Sequence, residues 1–318
     1  YISGLLSLII FFPVLYWNHL NDYISFTFHT QRVGVAEHGL RFDYFATELF
    51  GQMFYNNPFN FFLFLIPLPF FIKKFRKHIQ SVYGYLIISA LPLIVLFLFF
   101  SLTKRTLPHW SGPAYYALII LAALYYAKKK EKTFKVLITA ALSLCILVSA
   151  GGLLYVNTGI FHGERSGLPA LQAGKHDITL DMYGWKGIRE SFSQIHSNDI
   201  STGVMPEDAY IINHKWFPAA HLDHYVARPL QLNMYALGNL ENIHKYYWIN
   251  QETGAIPDSS SAYYISTSRF FSKPPTSYQH FFEEIGHADT IPIIRSGKTA
   301  GYFFVTRMKY AKNIPYVL

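Results

Sequence analysis

The sequence predicts an α-helical membrane domain followed by a small α/β domain outside the bilayer. Three observations carry this reading. Charged residues make up only 14% of the 318 residues, while hydrophobic residues make up 51% and aromatics 18%; an ordinary soluble domain carries about 25% charged residues. The long apolar runs all lie before Val156. The charge is also divided: residues 1–156 hold 13 Lys/Arg and 5 Asp/Glu, whereas 157–318 hold 14 of each. The whole net charge of +8 therefore sits in the apolar half. A nucleic-acid-binding domain would line a polar face with its basic residues, so that class is excluded, and basic loops between membrane spans fit instead. The composition also excludes disorder, collagen-like repeats and a disulfide scaffold. Cys145, the single cysteine, has no intrachain partner and reads as a small core residue in its apolar run.

Five apolar runs mark candidate spans: 1–16, 59–72 (extended backwards through LFGQMFYNNP), 81–103, 113–127 and 134–156. A spanning helix needs about 20 apolar residues. The third and fifth runs meet this alone, and the second and fourth borrow flanking residues. Pro58, Pro67, Pro69 and Pro92 are expected to kink or break their helices. The first run opens the chain without an initiator Met, a basic leader or a cleavage site, so it is not a signal peptide. It reads as a cut into a longer membrane protein. The spans hold almost no ionisable residue away from their ends, which weighs against a transporter.

The loops set an orientation. KKFRKH (73–78) and KKKEKTFK (128–135) hold nine Lys/Arg and one acid between them, which equals the entire net charge. Both belong on the cytoplasmic side by the positive-inside rule. Alternation then places 17–48, 104–112 and everything after 156 on the opposite face.

The domain organisation follows as a membrane part over 1–156, a linker over 157–175 and a soluble domain over 176–318. In the last, KGIRESFSQI (186–195) has helical spacing. AYIINH (209–214), LQLNMYA (230–236), AYYIST (262–267) and GYFFVTRM (301–308) read as strands. HKWFPAAHLDHYV and YQHFFEEIG read as helices between them. The expected sheet is mostly parallel.

Chemistry in the soluble half is sparse. His214, His221 and His224 match no strong metal signature, and Asp181, Asp199 and Asp223 are too dispersed to argue a catalytic pair. The outer membrane-edge segments are richer. Segment 17–48 carries Trp17, Asn18, His19, Asp22, His29, Arg32, Glu37, His38 and Arg41, and segment 101–116 clusters Lys104, Arg105, His109 and Trp110. These cations run against the topological bias. Two explanations stand: a site for an anionic phosphate head group, or snorkelling cations beside an aromatic belt.

The same residues carry a resemblance. PVLYWNHLNDYISFTFHTQR (13–32), TELFGQMFYNNPFNFFLF (47–64), SLTKRTLPHWSGPAYYALIILA (101–122) and DMYGWKGI (181–188) resemble, in order, the later part of a bacterial glycosyltransferase. The type is the dolichyl-phosphate-mannose-protein mannosyltransferases, a group that includes the lipid A aminoarabinose transferases. The resemblance implies a GT-C fold of many transmembrane helices with a soluble extracytoplasmic C-terminal domain. It implies an enzyme of the bacterial inner membrane, active in cell-envelope glycan assembly. Such an enzyme moves a sugar from a polyprenyl-phosphate donor to a lipid, glycan or protein acceptor, with no nucleic acid involved. The family's catalytic acid lies in a first outer loop that this chain lacks, so no catalytic residue is assigned here. A divalent metal occurs in some relatives, and no metal ligand is assigned. Lys104, Arg105, His109, His29 and Arg32 become candidates for the donor phosphate, where fixed cations would stabilise the leaving group's charge. Trp17, Asn18, Trp110 and Tyr115 become contacts to the sugar or to the membrane interface. The alternative reading is a non-catalytic, membrane-anchored module that binds a glycan or a protein.

Overall fold

In the computed structural model, which describes residues 2–27, 39–77, 81–127, 132–160, 170–271, 274 and 276–316, the chain forms two units, Tyr1–Val148 and Ser149–Leu318. The first unit is helical, with helices at Ile2–Leu20, Phe42–Tyr55, Pro58–Leu65, Leu68–Lys77, Val82–Ser101, Gly112–Tyr126 and the larger part of Lys132–Thr158. Small and aliphatic side chains, among them Ile87, Ala90, Ala114, Leu118 and Leu121, fill its core. That composition lets helices approach closely.

Among the described residues three helices are long and apolar enough to cross a membrane: Ile2–Leu20, Val82–Ser101 and Lys132–Thr158. The other two of the five expected spans fall short, for different reasons. The second is broken at Pro67 into Pro58–Leu65 and Leu68–Lys77, because proline removes a ladder hydrogen bond and clashes with the preceding turn. The fourth is a 15-residue helix, Gly112–Tyr126, about 22 Å long at 1.5 Å per residue. It is the most enclosed helix of the unit, with Ala114, Tyr115, Ala117, Leu118 and Leu121 buried. Val82–Ser101, by contrast, runs through Pro92 as one element. Cys145 corrects a further expectation. It is exposed on its helix, as suits a side chain that faces lipid rather than a packed core.

The second unit is built on a five-stranded sheet in the order β2-β1-β3-β5-β4. The strands are β1 (Tyr210–Asn213), β2 (Met234–Ala236), β3 (Ala262–Thr267), β4 (Phe282–Arg295) and β5 (Lys298–Ala311). β1 pairs in parallel with β2 and β3, while β5 pairs antiparallel with β3 and β4. The sheet is thus mixed, not mostly parallel. The difference lies in residues 278–286, expected to be helical, most of which belong to the edge strand β4. Glu283, Glu284 and Gly286 in this stretch, and Pro292 beyond it, argue against a central strand, but an edge strand tolerates them. A two-residue turn joins β4 to β5, with Ser296 at φ 50° and Gly297 at φ 77°, the left-handed pair that a tight hairpin requires.

Successive residues of each strand point to opposite faces. Ile211, Tyr263, Ile265, Phe303 and Val305 therefore face the helices Ile188–Ser201 and Trp216–Leu222. Ile212, Tyr235, Tyr264 and Met308 form a second core with Tyr278 and Phe282 on the reverse face.

Candidate functional site

The helix Phe42–Tyr55 begins where the Arg41 backbone N–H donates to Leu102 O at 2.7 Å. This ties its start to the end of Val82–Ser101. Glu48 and Gln52 stand four residues apart and so share one face of the helix. Gln52 Nε2 donates to Glu48 Oε1 at 2.8 Å. Thr106 Oγ1 donates to the other carboxylate oxygen at 2.7 Å, and Tyr115 OH donates to Gln52 Oε1 at 2.7 Å. The four side chains are almost sealed from solvent, with exposures of 0% for Glu48, 2% for Gln52, 7% for Thr106 and 4% for Tyr115. A carboxylate inside an apolar helical unit is costly unless its oxygens are satisfied. Here each oxygen has a donor, Gln52 on the same helix for one and Thr106 from a distant segment for the other.

The loop held by this network is the one that carries the sequence-derived cations. It turns through Pro108–Ser111 in a short 3-10 segment. Pro108 lies against Gly51 so closely that a Cβ at Gly51 would run into the proline ring. Trp110 packs on Phe97 with ring centroids 5.8 Å apart, and His109 lies 5.9 Å from the ring of Tyr55. Arg105 and His109 are exposed and Lys104 is half-buried. A buried base therefore carries basic side chains at its surface, an arrangement able to take an anionic group from solvent or from a lipid head.

Of the expected site residues, Lys104, Arg105, His109, Trp110 and Tyr115 come together on this loop and the helix after it. Tyr115 is buried and hydrogen-bonded to Gln52, so its hydroxyl serves the network and is not offered to a sugar. Asn18 is also buried and spent locally: its amide donates to Val14 O at 2.9 Å and its oxygen accepts from the Ser25 backbone at 3.2 Å. Trp17, near the end of the first helix, is exposed. His29 and Arg32 lie outside the described residues. Sequence reasoning missed Glu48, Gln52 and Thr106. The available signal was the i, i+4 pair of polar residues in TELFGQMFYN, set in an otherwise apolar stretch.

The histidines of the second unit have separate duties. His214 Nδ1 meets Tyr264 OH at 2.7 Å, and burial, with the charge of Lys215 beside it, lowers its pKa to about 4. The His221 ring stacks on Trp185 at 4.6 Å, and burial lowers its pKa too. The aspartates are paired, Asp181 with Arg269, Asp199 with Arg307 and Asp223 with Arg228. Among the described residues no group of three or more His, Cys, Asp or Glu is placed to hold a metal ion. A cleft of about 490 Å³ opens beside Tyr183, Trp185 and Ile293.

Comparison with family models, with curated proteins and with solved structures finds no match to this chain.

Proposed function

We propose that this chain belongs to a membrane glycosyltransferase. It uses a sugar carried on a polyprenyl phosphate and acts on the extracytoplasmic face of a bacterial inner membrane. The acceptor is a lipid, glycan or protein of the cell envelope. The observation that supports the reading is the Lys104–Ser111 loop: its exposed cations stand on a base pinned by Glu48 and by the Gly51–Pro108 contact. As a sugar leaves a lipid phosphate, negative charge grows on that phosphate. Cations already in place stabilise it without reorganisation. Arg105 is the strongest of them, because a planar guanidinium binds two phosphate oxygens at once. Trp110, packed on Phe97, fixes the loop's far end.

The test is binding, which does not depend on turnover. The protein in nanodiscs is titrated with a polyprenyl phosphate, followed by tryptophan fluorescence. Arg105→Ala is expected to weaken binding about tenfold, equivalent to about 1.4 kcal/mol, with unchanged yield and thermal stability. An unchanged affinity removes the loop from the donor site.

A further inference from the structure

The soluble domain carries an apolar and basic face at the point where the last membrane helix enters it. The hub is Arg295, at the tip of the β4–β5 hairpin. Its guanidinium pairs with the buried Asp177 and donates to Thr179 Oγ1 at 2.7 Å. It also sits over the Tyr183 ring at 5.5 Å. Gly159, one residue beyond the helix Lys132–Thr158, lies against the same guanidinium, with φ 65° and no room for a Cβ. The helix end and the domain thus meet at Arg295.

Around that hub the domain exposes what a folded surface normally hides. Ile178, next to Thr179, is 66% exposed, Met182, next to Tyr183, is 78%, and Ile294, next to Arg295, is 52%. The Tyr183 hydroxyl donates to Ile294 O at 3.2 Å, which fixes these segments side by side. Lys175 and Lys186 are exposed on the same stretch of chain. Its two acids are spent, Asp177 on Arg295 and Asp181 on Arg269. Apolar side chains interleaved with unpaired basic chemistry characterise a surface that lies in the head-group layer of an anionic bilayer.

Chain geometry decides the occupant. The apolar stripe of the helix continues through Leu153 and Leu154, both exposed, to Val156. Three helical residues advance about 4.5 Å, so a hydrocarbon edge at Val156 would leave Gly159 that short distance beyond it. The helix itself has 27 residues, about 40 Å against a hydrocarbon core of about 30 Å. We infer that the face formed by Ile178, Met182 and Ile294 rests on the bilayer surface, held there by Arg295 against the helix end. The cleft beside Trp185 is lined in part by Met182 and Ile294, so its mouth opens toward lipid. This inference rests on the spanning helix and stands apart from sugar transfer.

The test uses the full chain in bilayers of phosphatidylcholine with phosphatidylglycerol. An environment-sensitive fluorophore is attached at Ile178→Cys or Met182→Cys in a Cys145→Ala background. Controls are Ser201→Cys in the same background and the native Cys145, exposed on the span. Spin-labelled lipid is expected to quench positions 178 and 182 at least twofold more than position 201, with iodide giving the reverse order. Iodide quenching at 178 and 182 equal to that at 201 overturns the inference. So does shielding from both quenchers, which means protein covers the face. Loss of lipid quenching at Cys145 overturns the span, and the seat with it.

Discussion

Thr106 donates its hydroxyl to Glu48 at 2.7 Å across 58 residues of chain. That bond ties the cationic loop to a helix that lies far before it in the chain. It also makes the loop's position depend on a buried carboxylate. Thr106→Val keeps the side chain's shape and removes the donor. It should destabilise the first unit by about 1–3 kcal/mol, the cost of a buried acceptor left unsatisfied. Glu48→Ala should cost more, because it also orphans Gln52 Nε2. The two changes together should fall short of their sum by a coupling on the order of 0.5–3 kcal/mol. Thermal unfolding of the single and double variants in detergent measures it, and strict additivity would dissolve the network.

Gly51 is the second anchor of the loop. Pro108 is a rigid ring, and a Cβ at Gly51 meets it with no flexible atom to yield. Gly51→Val should therefore push the loop off its base and weaken polyprenyl phosphate binding as much as Arg105→Ala, although Gly51 carries no charge. Gly112→Ala, at a position where a Cβ meets nothing within 4 Å, is the matched control. Equal affinities in the two glycine variants would mean that the loop's position does not govern binding.

How much of this was legible depends on what each residue's signal measures. β3 occupies 262–267 as the aromatic and β-branched AYYIST predicts, because a central strand buried on both faces selects for little else. The strand β4 was not legible. Its outer half is solvent-facing and paired along one edge, so Glu283, Glu284 and Gly286 carry no pattern that separates it from a helix. Glu48 escaped for a related reason. Hydropathy averages over a window, and one carboxylate with an amide four residues on barely moves that average. The energetic significance of Glu48 comes from Thr106 and Tyr115, which no local pattern connects to it. The cations of the 104–109 loop were legible because their sign opposes the topological bias of the chain.

The Arg295–Asp177 pair is buried on both sides, so its members are costly to separate. Arg295→Met takes the guanidinium away from Asp177 and leaves it in the interior, where the Thr179 hydroxyl and backbone N–H still donate to it. Breaking one partner of such a pair costs about 3–5 kcal/mol. Burial works against the Asp177 carboxylate, but Thr179 and Arg295 outweigh it and hold its pKa below the ordinary value of 3.8. Its contribution is therefore complete above that value and is lost as the pH falls through the folded pKa. Without the guanidinium, burial raises the Asp177 pKa, so the penalty of Arg295→Met should be largest at pH 7 and shrink toward pH 4 as the variant's carboxylate takes up a proton. Thermal unfolding of variant and wild type across that range checks both the size and the slope.

His214 sets a second test, of the same sign and in a higher window. Burial, with Lys215 adding to it, lowers its pKa to about 4 in the folded chain, against about 6.5 when unfolded. Between those values the unfolded chain holds a proton that the folded chain does not, so stability falls as the pH drops. The slope reaches about 1.4 kcal/mol per pH unit, and the whole effect is roughly 3 kcal/mol by pH 4; below that both states are protonated and the loss stops growing. His196 and His221 are lowered by burial too, so the wild-type fall combines several groups. The informative quantity is the difference made by His214→Gln. Its amide oxygen can accept the Tyr264 hydroxyl that His214 Nδ1 meets at 2.7 Å, without a proton to gain. The variant should lose less stability than wild type between pH 7 and pH 4.5, and the two should respond alike above pH 7. If the two curves run parallel through the acid window, His214 does not titrate there and the Tyr264 contact carries no acid sensitivity.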